Sequence, residues 1–245
     1  MAEKRRLDAL LVEKGLAESR TRAQSLILAG KVFSGERRLD KPGHALAPDT
    51  PIAVRGEDHP WVSRGGVKLA HALENFRIDP AGRVCLDIGA STGGFTDVLL
   101  RAGAAKIYAV DVGRGQLDWR LRNDPRVVVL EGANARHLTR DRIPEAPSLI
   151  VCDASFIGLE TVLPAPLSLA APDAILVALI KPQFEVGKGR VGKGGVVRDM
   201  ALHREVCDRV AGWLRQEMGW TVRGITESPI KGPAGNTEFL IVARK

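Results

Sequence analysis

Aromatic side chains are few in this 245-residue chain, with one tyrosine and six phenylalanines. That excludes a stacked-aromatic platform for single-stranded bases as the main recognition device, so any nucleic-acid contact should rest on phosphates and shape. Cysteine is scarcer still. Cys85, Cys152 and Cys207 are odd in number and widely spaced, and two of them sit inside apolar runs. This excludes a disulfide framework and a cysteine-based zinc site, and points to reduced core thiols. The histidines, at 44, 59, 71, 137 and 203, form no ligand pair or triad, so no metal site is expected. Long apolar runs are missing too: the longest strictly apolar one, Ala174 to Ile180, has seven residues, where a spanning helix needs about 20. The opening MAEKRRLDALLVEKG is basic, but Asp8 and Glu13 break up its leucines, unlike a secretory leader. A cytoplasmic protein with no membrane partner is the expectation.

What the chain does have is length and positive charge. Its length suffices for one full α/β domain of roughly 180 residues plus a small appendage. With 36 lysines and arginines against 29 acids, the net charge is +7, which suits a polyanionic partner without proving one. The pattern changes near residue 60, so the expected domains are 1–60 and 61–245, with GEDHPWVSRGG, residues 56–66, as linker and entrance to the second.

In the first sixty residues, Leu7, Leu10 and Leu11, then Ala23, Leu26 and Ile27, recur at helical intervals. They predict two short amphipathic helices joined around Gly15, the second capped by Ser19 or Thr21. Beyond Gly30 come brief strand-like pieces, KVF and IAVR, separated by Gly35, Pro42 and Pro48. Lys4 to Lys41 holds ten basic residues against five acids, which by itself describes a solvated charged face. The string SRTRAQSLILAGKV resembles the S4 RNA-binding module, whose second helix carries arginines to an RNA backbone. Where that module usually has Val-Asn-Gly, this chain has Phe33-Ser34-Gly35, which leaves the turn intact.

The segment VCLDIGASTGGFTDVLL, residues 84–100, is an apolar run ending in an acid, a glycine-rich turn, and helical spacing from about Gly94. Glycines there let a ligand approach the main chain, and a helix start offers unpaired N–H groups. A dinucleotide site needs glycine where Ser91 stands. A phosphate-binding Walker loop needs a lysine, which this segment lacks. The lookalike GKGRVGKG, residues 187–194, has Gly194 in place of the required hydroxyl and runs into Val196-Val197. What remains is acid-x-Gly-x-Ser-x-Gly, Asp87 to Gly93, a pattern associated with S-adenosylmethionine (SAM), with a bland glycine turn as the alternative. Asp87, Gly89, Ser91, Gly93 and Gly94 are the candidate cofactor contacts. The C-terminus decides between nucleoside folds. Only TESPIKGPAGNT separates strand-like Thr221–Ile225 from EFLIVA, too short and too rich in proline and glycine for a parallel crossover. The last strand should therefore run antiparallel, by fold analogy the mark of SAM-dependent methyltransferases.

Seven strand-like runs alternating with helical stretches predict a doubly wound, mostly parallel sheet, whose ligands sit beyond the carboxyl ends of the strands. Asp111 closes the second strand, twenty-two residues after Gly89, where it can hold ribose hydroxyls; Asn134 follows the third and suits the adenine end. Asp153 ends the fourth, Lys181 ends the fifth, Glu238 begins the last, and Lys68 opens the helix before the first. In WVSRGGVKL, CDASF, LIKPQFE and GNTEF, these four resemble the Lys-Asp-Lys-Glu tetrad of FtsJ-like ribose 2′-O-methyltransferases. With the S4-like module, nearly the whole chain resembles the TlyA family of ribosomal RNA cytidine 2′-O-methyltransferases, once called haemolysin A-like.

The resemblance implies an α/β, Rossmann-like SAM-dependent methyltransferase domain, a seven-stranded sheet with its last strand reversed, behind a small α+β S4 domain. It implies catalysis by Lys68, Asp153, Lys181 and Glu238, a ribosomal RNA substrate within ribosomal subunits, and RNA contacts at Arg6, Arg20, Lys41 and Arg64. The protein is taken to act as a monomer. The 187–195 loop could add Lys188, Arg190 and Lys193 to the RNA surface or stay unengaged. Lys181 is the expected base: a neighbouring cation favours loss of its proton, and the two carboxylates oppose it. Two rivals come from other classes. A membrane-lytic protein needs an apolar span or a membrane-facing amphipathic helix, and neither is found. A non-enzymatic ribosome-assembly factor would not need the intact tetrad.

Overall fold

The computed structural model describes residues 4–17, 19–55, 59–187, 189–232 and 235–245. The chain divides into two units, residues 1–60 and 61–245. In the smaller one, strand β1 (Arg5–Arg6) leads into helix α1 (Leu7–Glu13), and Gly15, with φ of +67°, turns the chain toward α2 (Arg20–Leu28). Ser19, rather than Thr21, caps α2, its Oγ accepting from the Arg22 N–H at 3.1 Å. The helical spacing read in the sequence buries Leu7, Leu11, Ala23, Leu26 and Ile27 together with Val32. Short strands complete the unit: β2 (Val32–Ser34), β3 (Arg37–Arg38), β4 (Ala45–Leu46) and β5 (Ala53–Val54). β2 pairs with β3 and β5, and β1 pairs with β4, all antiparallel. Gly35, at φ +57°, makes the β2–β3 turn, so the Phe33-Ser34-Gly35 departure preserves the hairpin.

The larger unit begins with α3 (Gly65–Asn75), then β6 (Val84–Ile88), α4 (Gly94–Arg101), β7 (Lys106–Asp111), α5 (Trp119–Arg122) and β8 (Val127–Glu131). It continues through β9 (Leu149–Cys152), α6 (Leu159–Val162), α7 (Pro164–Ser168), β10 (Ile175–Ile180) and α8 (Pro182–Glu185) to α9 (Met200–Gln216), β11 (Thr221–Glu227) and β12 (Phe239–Arg244). Alternate strand residues enter different cores. Cys85, Ile107, Leu149 and Val177 meet α3 and α4 on one face. Leu86, Tyr108, Ile150 and Leu176 meet α6, α7 and α9 on the other. Strands apolar on both faces are what a parallel sheet sandwiched between helices requires.

The sheet order is β11-β12-β10-β9-β6-β7-β8. β12 is antiparallel to both its neighbours, and the other pairings are parallel, so the last strand is reversed as expected. It is more than a hairpin partner of β11, because it inserts between β11 and β10 and buries Leu240 to Ala243 completely. The register sets Ile180 opposite Phe239, which brings the residues just beyond, Lys181 and Glu238, to the same end of the sheet. Parallel pairing of β9 with β6 and β10 delivers Asp153 to that end too. No helix among the described residues is long and apolar enough to cross a membrane.

Candidate active site

Four charged side chains from four elements form one continuous line. Lys181, at the end of β10, places Nζ 2.6 Å from Asp153 Oδ1, 2.8 Å from Ser155 Oγ and 3.2 Å from the Asp153 carbonyl oxygen. The contact with Oδ1 is an ion pair rather than an aligned hydrogen bond. Lys68, in the first turn of α3, donates to Glu238 Oε2 at 2.6 Å and lies 3.7 Å from Asp153 Oδ2. Charges alternate along the line Lys181, Asp153, Lys68, Glu238. Both lysines and Glu238 are buried, with Asp153 the most exposed member at 19% of its side chain. Burying four charges is tolerable only because each is matched by an opposite one.

The line borders a cavity of about 590 Å³, whose walls include Arg64, Lys68, Ser155, Lys181, Phe184, Asn236 and Glu238. A second lobe of about 440 Å³ adjoins it, and both are lined by Gly89, Ser91, Asp153, Ser155 and Phe156. The second lobe has apolar walls at Ile88, Val110, Ala133, Ala135, Ile157 and Val162, and Asp111, Gln116, Asn134 and Arg136 add polar groups that the larger lobe does not share. Asp111 accepts from the Ser91 N–H at 2.8 Å through Oδ2 and from the Gly113 N–H at 2.7 Å through Oδ1. That bond helps hold Ser91 at φ +47°, a conformation unusual for a residue with a side chain.

Residues 61–245 match the FtsJ-like methyltransferase family, and residues 5–52 match the S4 domain. The 16S/23S rRNA (cytidine-2′-O)-methyltransferase TlyA of Mycobacterium tuberculosis strain H37Rv is 53% identical over 245 residues, covering 100% of this chain and 91% of the relative. This chain belongs to the TlyA family of FtsJ-like methyltransferases. A solved protein of Streptococcus thermophilus that carries a hemolysin name has a TM-score of 0.78 at 41% identity, covering 100% of this chain and 90% of that one. The N-methyltransferase NodS of Bradyrhizobium japonicum WM9, in complex with S-adenosyl-L-homocysteine, has a TM-score of 0.52 at 16% identity over 77% of this chain and 89% of its own. At that distance the likeness is one of fold alone.

Within this TlyA-family chain, Gly89, Ser91, Gly94, Asp111 and Asn134 line one or both lobes, whereas Asp87 and Gly93 line neither. Asp87 points into the face of the sheet covered by α3 and α4, where Thr96 Oγ1 donates to its Oδ2 at 2.6 Å and Oδ1 has no hydrogen-bond partner among the described residues. Burial pushes its carboxyl up to about 7. Gly93 and Gly94 are also packed tightly against the protein itself. A Cβ on Gly93, at φ +97°, would stand 2.3 Å from Leu121 Cδ1, and one on Gly94 would stand 2.3 Å from Ser63 Oγ. Protein atoms therefore close both positions to a side chain, and Gly94 also lines the larger lobe. Asn134 Oδ1 accepts from the Arg136 N–H at 3.1 Å, capping a short 3-10 turn.

The expected RNA contacts fall in both units of the TlyA-family chain. Arg6, Arg20 and Lys41 are exposed in the smaller one, and Arg64 lines the larger lobe while donating to the Lys231 carbonyl oxygen at 2.7 Å. Lys188, like residues 56–58 of the linker, lies outside the described residues, and Arg190 pairs with Glu205 of α9. Sequence reasoning missed Ser155 and Asn236. Asn236 is buried, its Oδ1 accepting from the Val197 N–H and its Nδ2 donating to the Gly195 carbonyl oxygen, each at 2.9 Å. It thereby ties the glycine loop, whose Gly194 and Gly195 line the larger lobe, to the segment entering Glu238. Two residues upstream of Glu238 in GNTEF, it was visible only as a turn residue.

Proposed function

We propose that this chain transfers a methyl group from SAM to the 2′-hydroxyl of a cytidine ribose in ribosomal RNA, its S4 unit docking on the ribosomal subunit. The observation that carries this reading is the charge line Lys181–Asp153–Lys68–Glu238 on the wall of the larger lobe, with Asp153 shared by the second. The substrate is taken from the relative, whose name states that activity at 53% identity. The smaller lobe suits an adenosine, with apolar walls for the base and Asp111 to accept from ribose hydroxyls. Gly89, Ser91, Asp111 and Asn134 are the residues that would hold SAM, which when bound supplies an electrophilic methyl group on a sulfonium.

A ribose hydroxyl must give up its proton as its oxygen forms the new bond to carbon. Lys181 acts here in the form that has first released a proton to water: its neutral Nζ, fixed by Asp153 and Ser155 on the wall of the larger lobe, accepts the hydroxyl proton and returns to an ammonium beside the Asp153 carboxylate. The hydroxyl oxygen keeps the bonding pair. Lys68, held by Glu238 and facing the same lobe, places a positive charge where negative charge builds on that oxygen. Orientation by the carboxylates keeps both lysines from wandering, so no reorganisation is needed during transfer.

The test uses labelled SAM with separate small and large ribosomal subunits. Lys181→Ala should lower methylation by about 10²-fold or more, corresponding to about 2.7 kcal/mol or above, while leaving SAM affinity intact. Near-normal methylation by that variant would remove Lys181 from the mechanism. Wild-type protein that binds both subunits and transfers no label would turn the reading toward an assembly factor.

A further inference from the structure

Among the buried carboxylates that the methyl-transfer chemistry leaves unused, one lies in the S4 unit. Asp8, in the first turn of α1, has no exposed surface. Arg6 forks onto it, Nε donating to Oδ1 at 3.1 Å and Nη2 to Oδ2 at 2.9 Å. Arg20 Nη2 and Gln24 Nε2 donate to the same Oδ2 at 3.3 and 2.9 Å. The Arg6 guanidinium holds the Asp8 carboxyl well below the ordinary carboxylate range, so it is an anion at any working pH.

The arginines are in a different situation from their partner. Their side chains are 53% and 60% exposed, so each gives one edge to Asp8 and presents the rest to solvent. Ion pairs between two exposed chains leave both ends free to wander. Here one end is immobile, and two guanidiniums converge on a single oxygen atom. The Asp8 main-chain N–H also donates to the Pro42 carbonyl oxygen at 3.1 Å, which draws the turn after Lys41 to the same end of the unit. Two of the residues expected to contact RNA thus pair with one buried acid, and the third, Lys41, precedes the proline that the Asp8 main chain holds.

We propose that Asp8 is a positioning residue for RNA docking, holding Arg6 and Arg20 in fixed neighbouring poses that meet backbone phosphates without having to be ordered on binding. The inference rests on the reading that the S4 unit docks on ribosomal RNA. It carries a sign that simple electrostatics does not share. Charge alone says that deleting an acid from a phosphate-binding surface tightens binding. Positioning says that it loosens binding, since each long side chain left to be ordered costs a factor of roughly two to ten.

The experiment measures binding of the full chain to purified small and large ribosomal subunits at several salt concentrations, with SAM affinity followed in parallel. The variants are Asp8→Asn, Arg6→Glu and Arg20→Glu. Asp8→Asn should weaken binding to the preferred subunit by about fourfold to a hundredfold, with SAM affinity unchanged. If the two arginine variants bind poorly while Asp8→Asn binds as well as wild type or better, the positioning role is overturned and docking stands. If the arginine variants bind normally, the docking reading fails and takes this inference with it. Should Asp8→Asn not fold, the wild-type protein still decides: the Arg6 Hε should exchange with water more slowly than that of exposed Arg37 in an NMR measurement. Equal rates would show that no such pin exists in solution.

Discussion

Lys68 and Glu238 allow the contribution of the tetrad to folding to be separated from its contribution to chemistry. Glu238 is 1% exposed, Lys68 is 7% exposed, and 2.6 Å separates their charged atoms. Asp153, the other anion near Lys68, is farther off at 3.7 Å. Lys68→Met keeps the apolar stem but strands a buried carboxylate, and breaking a buried pair from one side costs about 3–5 kcal/mol. For a chain of this size a loss of that order lowers the melting temperature by roughly 6–20 °C. Adding Glu238→Gln removes the stranded charge, so most of the lost stability should return, with a coupling energy of about 2–4 kcal/mol in the double-mutant cycle. Methylation should not return, because both the oriented cation and its anchor are gone, and each variant should stay about 10²-fold or more below wild type. Urea titrations supply the cycle, and label transfer from SAM to ribosomal subunits supplies the activity. Coupling near zero would refute the buried pair. A double variant that regained activity along with stability would show these positions to matter for folding alone, and the catalytic reading would fall.

Two further outcomes follow from groups away from the reacting centre. Burial raises the Asp87 carboxyl to about 7, so the folded state favours its neutral form. That contribution is full below its unfolded value near 4 and is lost as pH rises through about 7, a span worth about 4 kcal/mol at most. Asp87→Asn, neutral throughout and still able to accept from Thr96, should flatten the fall in stability between pH 4 and 7 in urea titrations; an unchanged slope would exonerate Asp87. Asn236→Ala unpairs the Val197 N–H and the Gly195 carbonyl oxygen, so kcat should fall about tenfold or more, at about 1–3 kcal/mol for each group left unsatisfied, while SAM affinity holds. An equal loss in both would make Asn236 a general stabiliser of the fold.

Much of the site was legible because a doubly wound sheet concentrates its ligands at one end. Once βα alternation was read, the residues ending the strands were the ones to inspect, and Asp111, Asp153 and Lys181 followed without further knowledge. The reversal of β12 was legible from the short, proline-broken TESPIKGPAGNT. Its insertion beside β10 was not, because that is a pairing between strands far apart in sequence, and it is this pairing that sets Glu238 near Lys181. Ser91 at positive φ and the tie from Asn236 to Gly195 and Val197 were hidden for the same reason: each is fixed by a partner that local patterning does not reveal.

Asp87 and Asp8 show where the periodic reading stopped short of what it contained. Asp87 shares strand parity with Cys85, and that parity faces the apolar layer under α3 and α4, so alternation alone placed it inside the protein, behind the glycine-rich turn. Asp8 sits between Leu7 and Leu10 on the side of α1 that is buried against α2. In both cases a carboxylate occupies a position that the hydrophobic period assigns to an apolar side chain. A break of that kind has a physical meaning, because a buried charge persists only where something compensates it. Asp8 is compensated by two arginines and an amide, which makes it a fixed anion. Asp87 has one hydroxyl, which leaves it poised to hold a proton. The same violation of pattern thus shifts the two carboxyls in opposite directions, and the partners supplied by tertiary structure decide which.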